Sequence, residues 1–250
     1  MVLSSSAPVY FLFTTVPPHA ERVLEMLSEL ATQSTPPDKV VLTLPAHRFA
    51  RFAGNLSLPA DAVASSRLRV HRALDDQGPL LKYLGVAAAH ARGTCIVGDD
   101  DIRYPHTFVQ GIAKAVASAS APTAFTGVLE NPIGSLGHGV CGFSGVGMRC
   151  ALLLALLPRL LRPPKQCFFS DDLLVTKALR DMGVAIVQHN ETREQTKLQH
   201  TRFQHDRTSV HAHHASHRFR VNRRCLHALE DVRSWTTHRK RAVSYMHSLR

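Results

Sequence analysis

Aromatic residues are scarce in this sequence, and it contains no long apolar stretch. Only 6% of the 250 residues are aromatic, which leaves few side chains that could stack on the bases of a single-stranded nucleic acid. The longest aliphatic run, residues 151–157, is far shorter than the roughly 20 residues that cross a bilayer. Residues 9–13 are apolar but lack a basic lead, so we expect no signal peptide and a soluble, cytoplasmic protein.

Cysteine pairs of the C-x-x-C kind are also missing. The five cysteines stand singly, mostly among apolar neighbours, at Cys95, Cys141, Cys150, Cys167 and Cys225. An odd number without close spacing is not typical of a disulfide framework. The pattern therefore predicts reduced, mostly buried thiols in a cytosol-like compartment.

Acidic residues are outnumbered, and the excess of basic residues is concentrated at one end of the chain. Residues 189–250 carry 13 Lys and Arg against 5 Asp and Glu, and ten of the 16 histidines, whereas residues 1–188 carry 17 against 14. This basic segment could attract phosphates, nucleic acid or an anionic membrane, or it could be an ordinary solvated surface. We predict a catalytic core over residues 1–188 and a basic, His-rich C-terminal segment, 189–250, that packs on it.

Strand and helix patterns alternate along the core. Apolar or β-branched runs predict strands at 9–13, 39–44, 68–71, 94–97, 123–126 and 184–188. Helical periodicity or composition predicts helices at 19–33, 80–91, 106–119, 150–161 and 171–182, and residues 134–147 form a glycine-rich bend. This order predicts a single α/β domain with a mostly parallel sheet that helices cover on both faces.

Three consecutive aspartates, Asp99, Asp100 and Asp101, directly follow the apolar strand 94–97. Like charges this close repel one another. A divalent cation removes that cost, because Mg²⁺ and Mn²⁺ prefer carboxylate oxygens and share their shell with substrate phosphates. Ligands of open α/β sheets bind beyond the carboxyl ends of the strands. The run therefore predicts a Mn²⁺ or Mg²⁺ site, and a solvated acidic turn is the alternative.

A second acidic pair, Asp171 and Asp172, follows Ser170. One reading is a helix cap, made by Ser170 or Asp171. The other is a general base near a metal-bound donor, because an acceptor hydroxyl is a poor nucleophile until its proton is removed.

A third motif runs from Asp75 to Gly85. Gly78 and Pro79 make a turn into a helix whose N-terminal amides can face phosphate. Lys82 lies early in that helix and could reach a diphosphate, although an ordinary helix start fits the same residues.

Taken together, these motifs resemble small glycosyltransferases of the GT-A fold. The likeness is to family-2-like enzymes, including the glycosyltransferase domain of large algal viruses, and it covers roughly residues 8–190. The stretches that carry it are residues 14–18 (TTVPP), 76–85 (DQGPLLKYLG), 99–105 (DDDIRYP) and 170–173 (SDDL).

The resemblance implies a Rossmann-like GT-A sheet and a metal-dependent, hexosyltransferase-like enzyme. The donor would be a UDP- or GDP-linked sugar, the acceptor a hydroxyl of a glycan or glycoconjugate, and the mechanism inverting. Metal ligation would fall chiefly on Asp101, with Asp99 also near the donor ribose. Nucleotide-sugar contacts would come from Thr14, Thr15, Asp76, Lys82, Asp99 and Asp100. Asp172 would be the catalytic base, with Asp171 in support.

Two further sets of residues complete the resemblance, and one position departs from it. The residues of the glycine-rich bend that resemble an acceptor-side loop are Gly142, Phe143, Ser144 and Gly145; a tight turn without a ligand is the alternative. A C-terminal histidine could add a metal ligand, with His211 and His214 favoured. His19 stands where an arginine is expected.

Other classes of protein remain open at this point. A nucleotidyltransferase shares the sheet and the metal chemistry, but it normally shows a glycine-rich loop with arginine after the first strand, which residues 14–18 lack. A nucleic-acid-binding module would use the basic segment and leave both aspartate clusters unexplained. An inactive scaffold would not need those clusters intact.

Overall fold

A computed structural model describes residues 7–52, 56–129, 136–161, 163–189, 199–200 and 215–230. The helices are α1 (Arg22–Ala31), α2 (Ala60–Ala64), α3 (Leu81–Leu84), α4 (Phe108–Ser118), α5 (Cys150–Leu160), α6 (Asp171–Asp181) and α7 (Ala215–Glu230). Short 3₁₀ turns precede or follow several of them, at Pro17–His19, Gly78–Leu80, Gly85–Ala88, Gly142–Ser144 and Lys165–Cys167.

Seven strands form one sheet. They are β1 (Val9–Thr14), β2 (Lys39–Pro45), β3 (Leu68–Ala73), β4 (Thr94–Val97), β6 (Thr123–Thr126), β7 (Val146–Arg149) and β8 (Ala185–Gln188), in the order β3-β2-β1-β4-β7-β6-β8. Strand β7 runs antiparallel to β4 and β6, and the other neighbours pair in parallel. Two short strands, β5 (Ile102–Arg103) and β9 (Gln199–His200), form a separate antiparallel pair.

Alternation of side chains along the strands builds a core on each face of the sheet. In β1, Phe11 and Phe13 lie in the core formed with α1 and α4, whereas Leu12 lies in the core formed with α3, α5 and α6. Successive side chains of a strand point to opposite faces, so a wholly apolar strand must be covered on both. The predicted single α/β domain, with a mostly parallel sheet between helices, is confirmed.

The glycine-rich bend contains a strand that the sequence did not predict. Strand β7 begins inside the bend, at Val146, and continues to Arg149, and a Cβ atom on Gly147 would collide with the side chain of Ile112. Glycine is therefore required there by the close packing of α4, although glycine in general weakens a strand.

The prediction of reduced thiols is wrong. Disulfides join Cys95 to Cys150 and Cys167 to Cys225, and Cys141 is a buried free cysteine. The pairs are separated by 55 and 58 residues, so no local spacing pattern could reveal them. The inference of a cytosol-like compartment rested on reduced thiols and therefore loses its basis.

Part of the basic C-terminal segment packs on the core. Cys225 and Leu229 of α7 are buried in the same cluster as Leu173 and Leu174 of α6. The boundary drawn at residue 188 stays a prediction. Among the described helices, none combines the length and the apolar character needed to cross a membrane.

Candidate active site

Strand directions bring several loops to one edge of the sheet. The parallel strands β1 and β4 both end there, so Thr15 and the aspartates 99–101 are neighbours. Because β7 is antiparallel to β4, its first residue pairs with the last residue of β4, Val146 with Val97. The 3₁₀ turn that precedes β7, Gly142–Ser144, therefore lies at the same edge.

Lys82 joins the two acidic clusters. Its ammonium Nζ lies 2.5 Å from Oδ1 of Asp99 and 2.8 Å from Oδ2 of Asp171. The side chain is buried, in α3. Burial alone lowers the pKa of Lys82, but the negative charges of Asp171 and Asp99 outweigh it and hold that pKa well above its ordinary value. Lys82 is therefore a permanent cation between carboxylates that are distant in the sequence.

Asp172 lies in the first turn of α6 and accepts a hydrogen bond from the backbone N–H of Gly142, at 2.7 Å. A Cβ atom on Gly142 would lie 2.7 Å from Nζ of Lys82 and 2.8 Å from Oδ1 of Asp172. A side chain at this position would have to displace Lys82, Asp172 or the turn itself, so glycine suits the close approach. Burial raises the pKa of Asp172 well above its usual range, and the charge of Asp171 adds to the rise. Asp172 is thus a stronger base than an exposed carboxylate.

Neighbouring side chains hold the aspartate run on two sides, one contact reaching its backbone and the others a carboxylate. The hydroxyl of Tyr104 accepts a hydrogen bond from the N–H of Asp99, at 2.8 Å, and the ring of Tyr104 stacks on Phe108 with 4.5 Å between centroids. The hydroxyl of Thr15 donates to Oδ2 of Asp100, at 2.5 Å, and Nδ1 of His19 lies 3.3 Å from the same oxygen. This hydrogen bond fixes the hydroxyl of Thr15 and the carboxylate of Asp100 relative to each other.

Arg22 completes this support, although no sequence pattern predicts its contact with the aspartate run. Its guanidinium is fully buried and donates to the backbone carbonyls of Asp100, at 2.6 Å, and Ile102, at 3.1 Å. The same group forms ion pairs with Glu25 and Glu29 of α1. An arginine was expected at the position of His19, and Arg22 lies one helical turn further on. The amphipathic pattern of α1 does not indicate that its first residue contacts the aspartate run.

Asp101 lies close to the charges of the other two aspartates in a largely buried position. Burial, followed by the charges of Asp99 and Asp100, raises the pKa of Asp101 to about 7. Within the described part of the chain, no group of three or more His, Cys, Asp or Glu side chains is arranged to hold a metal ion. A divalent cation that shares its shell with a diphosphate needs only one or two carboxylates, and Asp101 and Asp99, two residues apart in the run, are carboxylates of the kind that such an ion prefers. His211 and His214 lie outside the described residues.

The other predicted donor contacts have structural partners. Asp76 accepts hydrogen bonds from the N–H groups of Ala50, at 2.6 Å, and Gly78, at 2.8 Å, and so ties the loop after β2 to the loop after β3. The hydroxyl of Thr14 donates to the carbonyl of Thr43, at 2.7 Å. Their predicted contacts with a nucleotide stay predictions.

The predicted acceptor-side loop is divided between two environments. Gly142 reaches Asp172, whereas the hydroxyl of Ser144 is fully buried, donates to the carbonyl of Cys141 at 2.8 Å and accepts from the N–H of Val128 at 2.9 Å. Phe143 is partly buried against the core that contains α1 and α4. Gly145 has a φ of +81°, and a Cβ there would meet the ring of Phe108.

The sequence matches no protein-family model and no curated protein. Similar solved structures include a mannosyltransferase from Pyrobaculum calidifontis in complex with GDP-mannose and Mn²⁺, at 16% identity and a TM-score of 0.47, over 74% of this chain and 55% of that one. Glucosyl-3-phosphoglycerate synthase from Mycobacterium tuberculosis is similar at 13% identity and a TM-score of 0.47, over 74% and 70% of the two chains.

A third similar structure, 4-diphosphocytidyl-2C-methyl-D-erythritol synthase from Anaerococcus prevotii, has 10% identity and a TM-score of 0.46, over 77% of this chain and 92% of that one. The match to the mannosyltransferase described above covers only about half of that protein's length. At these identities and TM-scores, none of the three likenesses assigns the chain to a family or carries a function to it. The resemblance to a viral domain stays a prediction.

Proposed function

We propose that this protein is an inverting, metal-dependent glycosyltransferase of the GT-A kind. It transfers a hexose from a UDP- or GDP-linked donor to a hydroxyl of a glycan or glycoconjugate. The observation that carries the proposal is the position of Lys82, between Asp99 of the aspartate run and Asp171 of the second pair. Sugar transfer needs one group of charges at the leaving diphosphate and a separate base at the acceptor, and these two clusters supply both in one place.

On the donor side, Asp101 and Asp99 would hold Mn²⁺ or Mg²⁺. Such an ion would neutralise the charge that develops on the leaving diphosphate. Lys82 adds a second positive charge beside Asp99. The nucleotide pocket would be shaped by Thr15 and Asp100, which join the loops after β1 and β4, and by Asp76, which joins the loops after β2 and β3. Thr14 would contribute from the end of β1, where its hydroxyl bonds to β2.

On the acceptor side, Asp172 takes the proton. The acceptor oxygen attacks the anomeric carbon of the sugar, and the bond from that carbon to the diphosphate oxygen breaks. The leaving nucleoside diphosphate keeps the electron pair of that bond. A single in-line displacement of this kind inverts the anomeric configuration. Asp171, paired with Lys82, supports the base.

A donor screen tests the proposal. The protein is incubated with a panel of UDP- and GDP-hexoses, with Mn²⁺ or with EDTA, and released nucleoside diphosphate is measured by chromatography. We expect release from at least one donor, only with the metal, and little from Asp172→Asn when an acceptor is supplied. A nucleotidyltransferase would instead release pyrophosphate from a nucleoside triphosphate and a sugar phosphate. That product, with every nucleotide sugar left intact, would overturn the proposal.

A further inference from the structure

Helix α7 is attached to the segment that carries Asp171 and Asp172 at two points. The first is the disulfide between Cys225 of α7 and Cys167, in the 3₁₀ turn Lys165–Cys167. The second is a hydrogen bond of 2.8 Å from the hydroxyl of Ser170 to Oδ1 of Asn222. Ser170 immediately precedes Asp171, so both attachments lie within a few residues of the carboxylates.

The hydroxyl of Ser170 bonds to helix α7 instead of capping helix α6. Ser170 is the N-cap residue of α6, the position where a serine side chain usually bonds to a backbone N–H of the first turn. That cap bond is not formed. Ser170 is 3% exposed, and its hydroxyl donates a hydrogen bond to Asn222. The sequence allowed a helix cap by Ser170 or by Asp171. The Ser170 cap is not formed, because its hydroxyl bonds instead to Asn222, 52 positions away.

The two attachments have matching spacing. Asn222 and Cys225 are three residues apart on α7 and so lie on one face of that helix. Cys167 and Ser170 are also three apart, and the N–H of Ser170 donates to the carbonyl of Cys167, at 2.9 Å. One attachment alone would let the segment pivot, whereas two fix both its position and its rotation.

From this geometry we infer that Asn222 is a positioning residue for Asp172, acting through Ser170 together with the Cys167–Cys225 disulfide. The inference rests on the proposed function, in which Asp172 is the base. The carboxylate of Asp172 must meet both the N–H of Gly142 and the acceptor hydroxyl. Displacement of a catalytic group by about 1 Å costs on the order of 10²-fold in rate.

The test compares Asn222→Ala, Ser170→Ala and the double variant, with Arg224→Ala as control because Arg224 is exposed on the same helix. We expect each single variant to lower kcat by about 10- to 100-fold, with the KM for the donor nearly unchanged. The double variant should lose no more than either single one, because both remove the same bond. Arg224→Ala should keep wild-type kcat.

A second measurement does not depend on activity. Amide hydrogen exchange at Gly142 reports whether Asp172 still accepts its hydrogen bond, and exchange at Phe13 in β1 reports global stability. In Asn222→Ala we expect exchange at Gly142 about fivefold faster or more, with Phe13 unchanged. Asn222→Asp keeps an acceptor oxygen and should keep exchange at Gly142 slow.

The outcomes separate this inference from the proposed function. If Asn222→Ala leaves kcat and exchange at Gly142 unchanged, or if Phe13 accelerates equally, Asn222 does not position Asp172 and the inference is overturned. If exchange at Gly142 accelerates selectively but the wild-type protein transfers no sugar, the positioning stands and the proposed function fails.

Discussion

Replacement of Lys82 by methionine, which has a similar length, removes the cation shared by the two acidic clusters. Nζ lies 2.5 Å from Asp99 and 2.8 Å from Asp171, and the lysine side chain is only 3% exposed. Breaking a buried ion pair on one side costs about 3–5 kcal/mol. Asp99 is 31% exposed, so solvent screening places the expected loss near the lower end, at about 3 kcal/mol. For a chain of this size that loss corresponds to about 6–12 °C in Tm.

The stability that Lys82→Met loses should depend on pH, and the charges around Lys82 determine whether it grows or shrinks as pH rises. In the wild-type protein, burial raises the pKa of Asp172 and the charge of Lys82 opposes the rise. Without Lys82 that pKa rises further. A carboxyl whose folded pKa is raised weakens the fold as pH rises through that pKa. The stability deficit of Lys82→Met should therefore be small below pH ~4, where the unfolded carboxyl is also protonated, and grow towards neutral pH.

Thermal unfolding followed by circular dichroism across a pH series measures this deficit. Lys177→Met is the matched control, because Lys177 pairs with Asp181 on the surface of α6 and should cost no more than about 0.5 kcal/mol. Adding Asp171→Asn to Lys82→Met should restore part of the stability, since it removes one of the uncompensated charges. A deficit that is the same at every pH, or a double variant that is less stable than either single one, would refute this electrostatic account.

Three further predictions concern the remaining residues of the site. Asp172→Asn should lower kcat by about 10²–10⁴-fold while donor affinity in calorimetry is kept, and Asp171→Asn should lower it less; normal turnover of Asp172→Asn means that the base is another group. In calorimetry, the wild-type protein should bind UDP or GDP tightly only with Mn²⁺, and Asp101→Ala should bind them as weakly with Mn²⁺ as with EDTA. Wild-type affinity that is equal with Mn²⁺ and with EDTA would contradict the metal site. Gly142→Ala should lower kcat by about 10²-fold with donor affinity retained, because its Cβ would lie within 2.8 Å of both Lys82 and Asp172; unchanged steady-state kinetics would show that the turn can yield.

Local patterns predicted the elements that have a periodicity of their own. Strands 94–97 and 123–126 were predicted with the bounds that the structure has, because each is a short apolar or β-branched run between turn residues. Strand β7 was missed because Gly145 and Gly147 suggest a bend when no packing partner is known. The reason for these glycines is the closeness of Phe108 and Ile112 on α4, which only the tertiary structure contains.

The acidic clusters could be found from the sequence because consecutive carboxylates after an apolar strand are unusual. The resemblance implied only that Lys82 helps to hold the nucleotide. Its pairing with Asp99 and Asp171 was not predicted, since nothing local relates residue 82 to residue 171. Contacts such as Arg22 with the carbonyl of Asp100 and Ser170 with Asn222 leave no trace in spacing, because each joins residues more than 50 positions apart. The same holds for the two disulfides.

The support of the aspartate run by Arg22 and Tyr104 has a thermodynamic consequence. Both residues hold backbone atoms of the run, so three carboxylates are kept together before any ligand arrives. Ordering a flexible binding loop opposes association, and here that ordering accompanies folding instead. The folded protein carries the repulsion among these carboxylates, and a ligand that relieves it stabilises the native state. Saturating nucleotide with Mn²⁺ should therefore raise the unfolding temperature, and it should do so with little change in the conformation of residues 99–101.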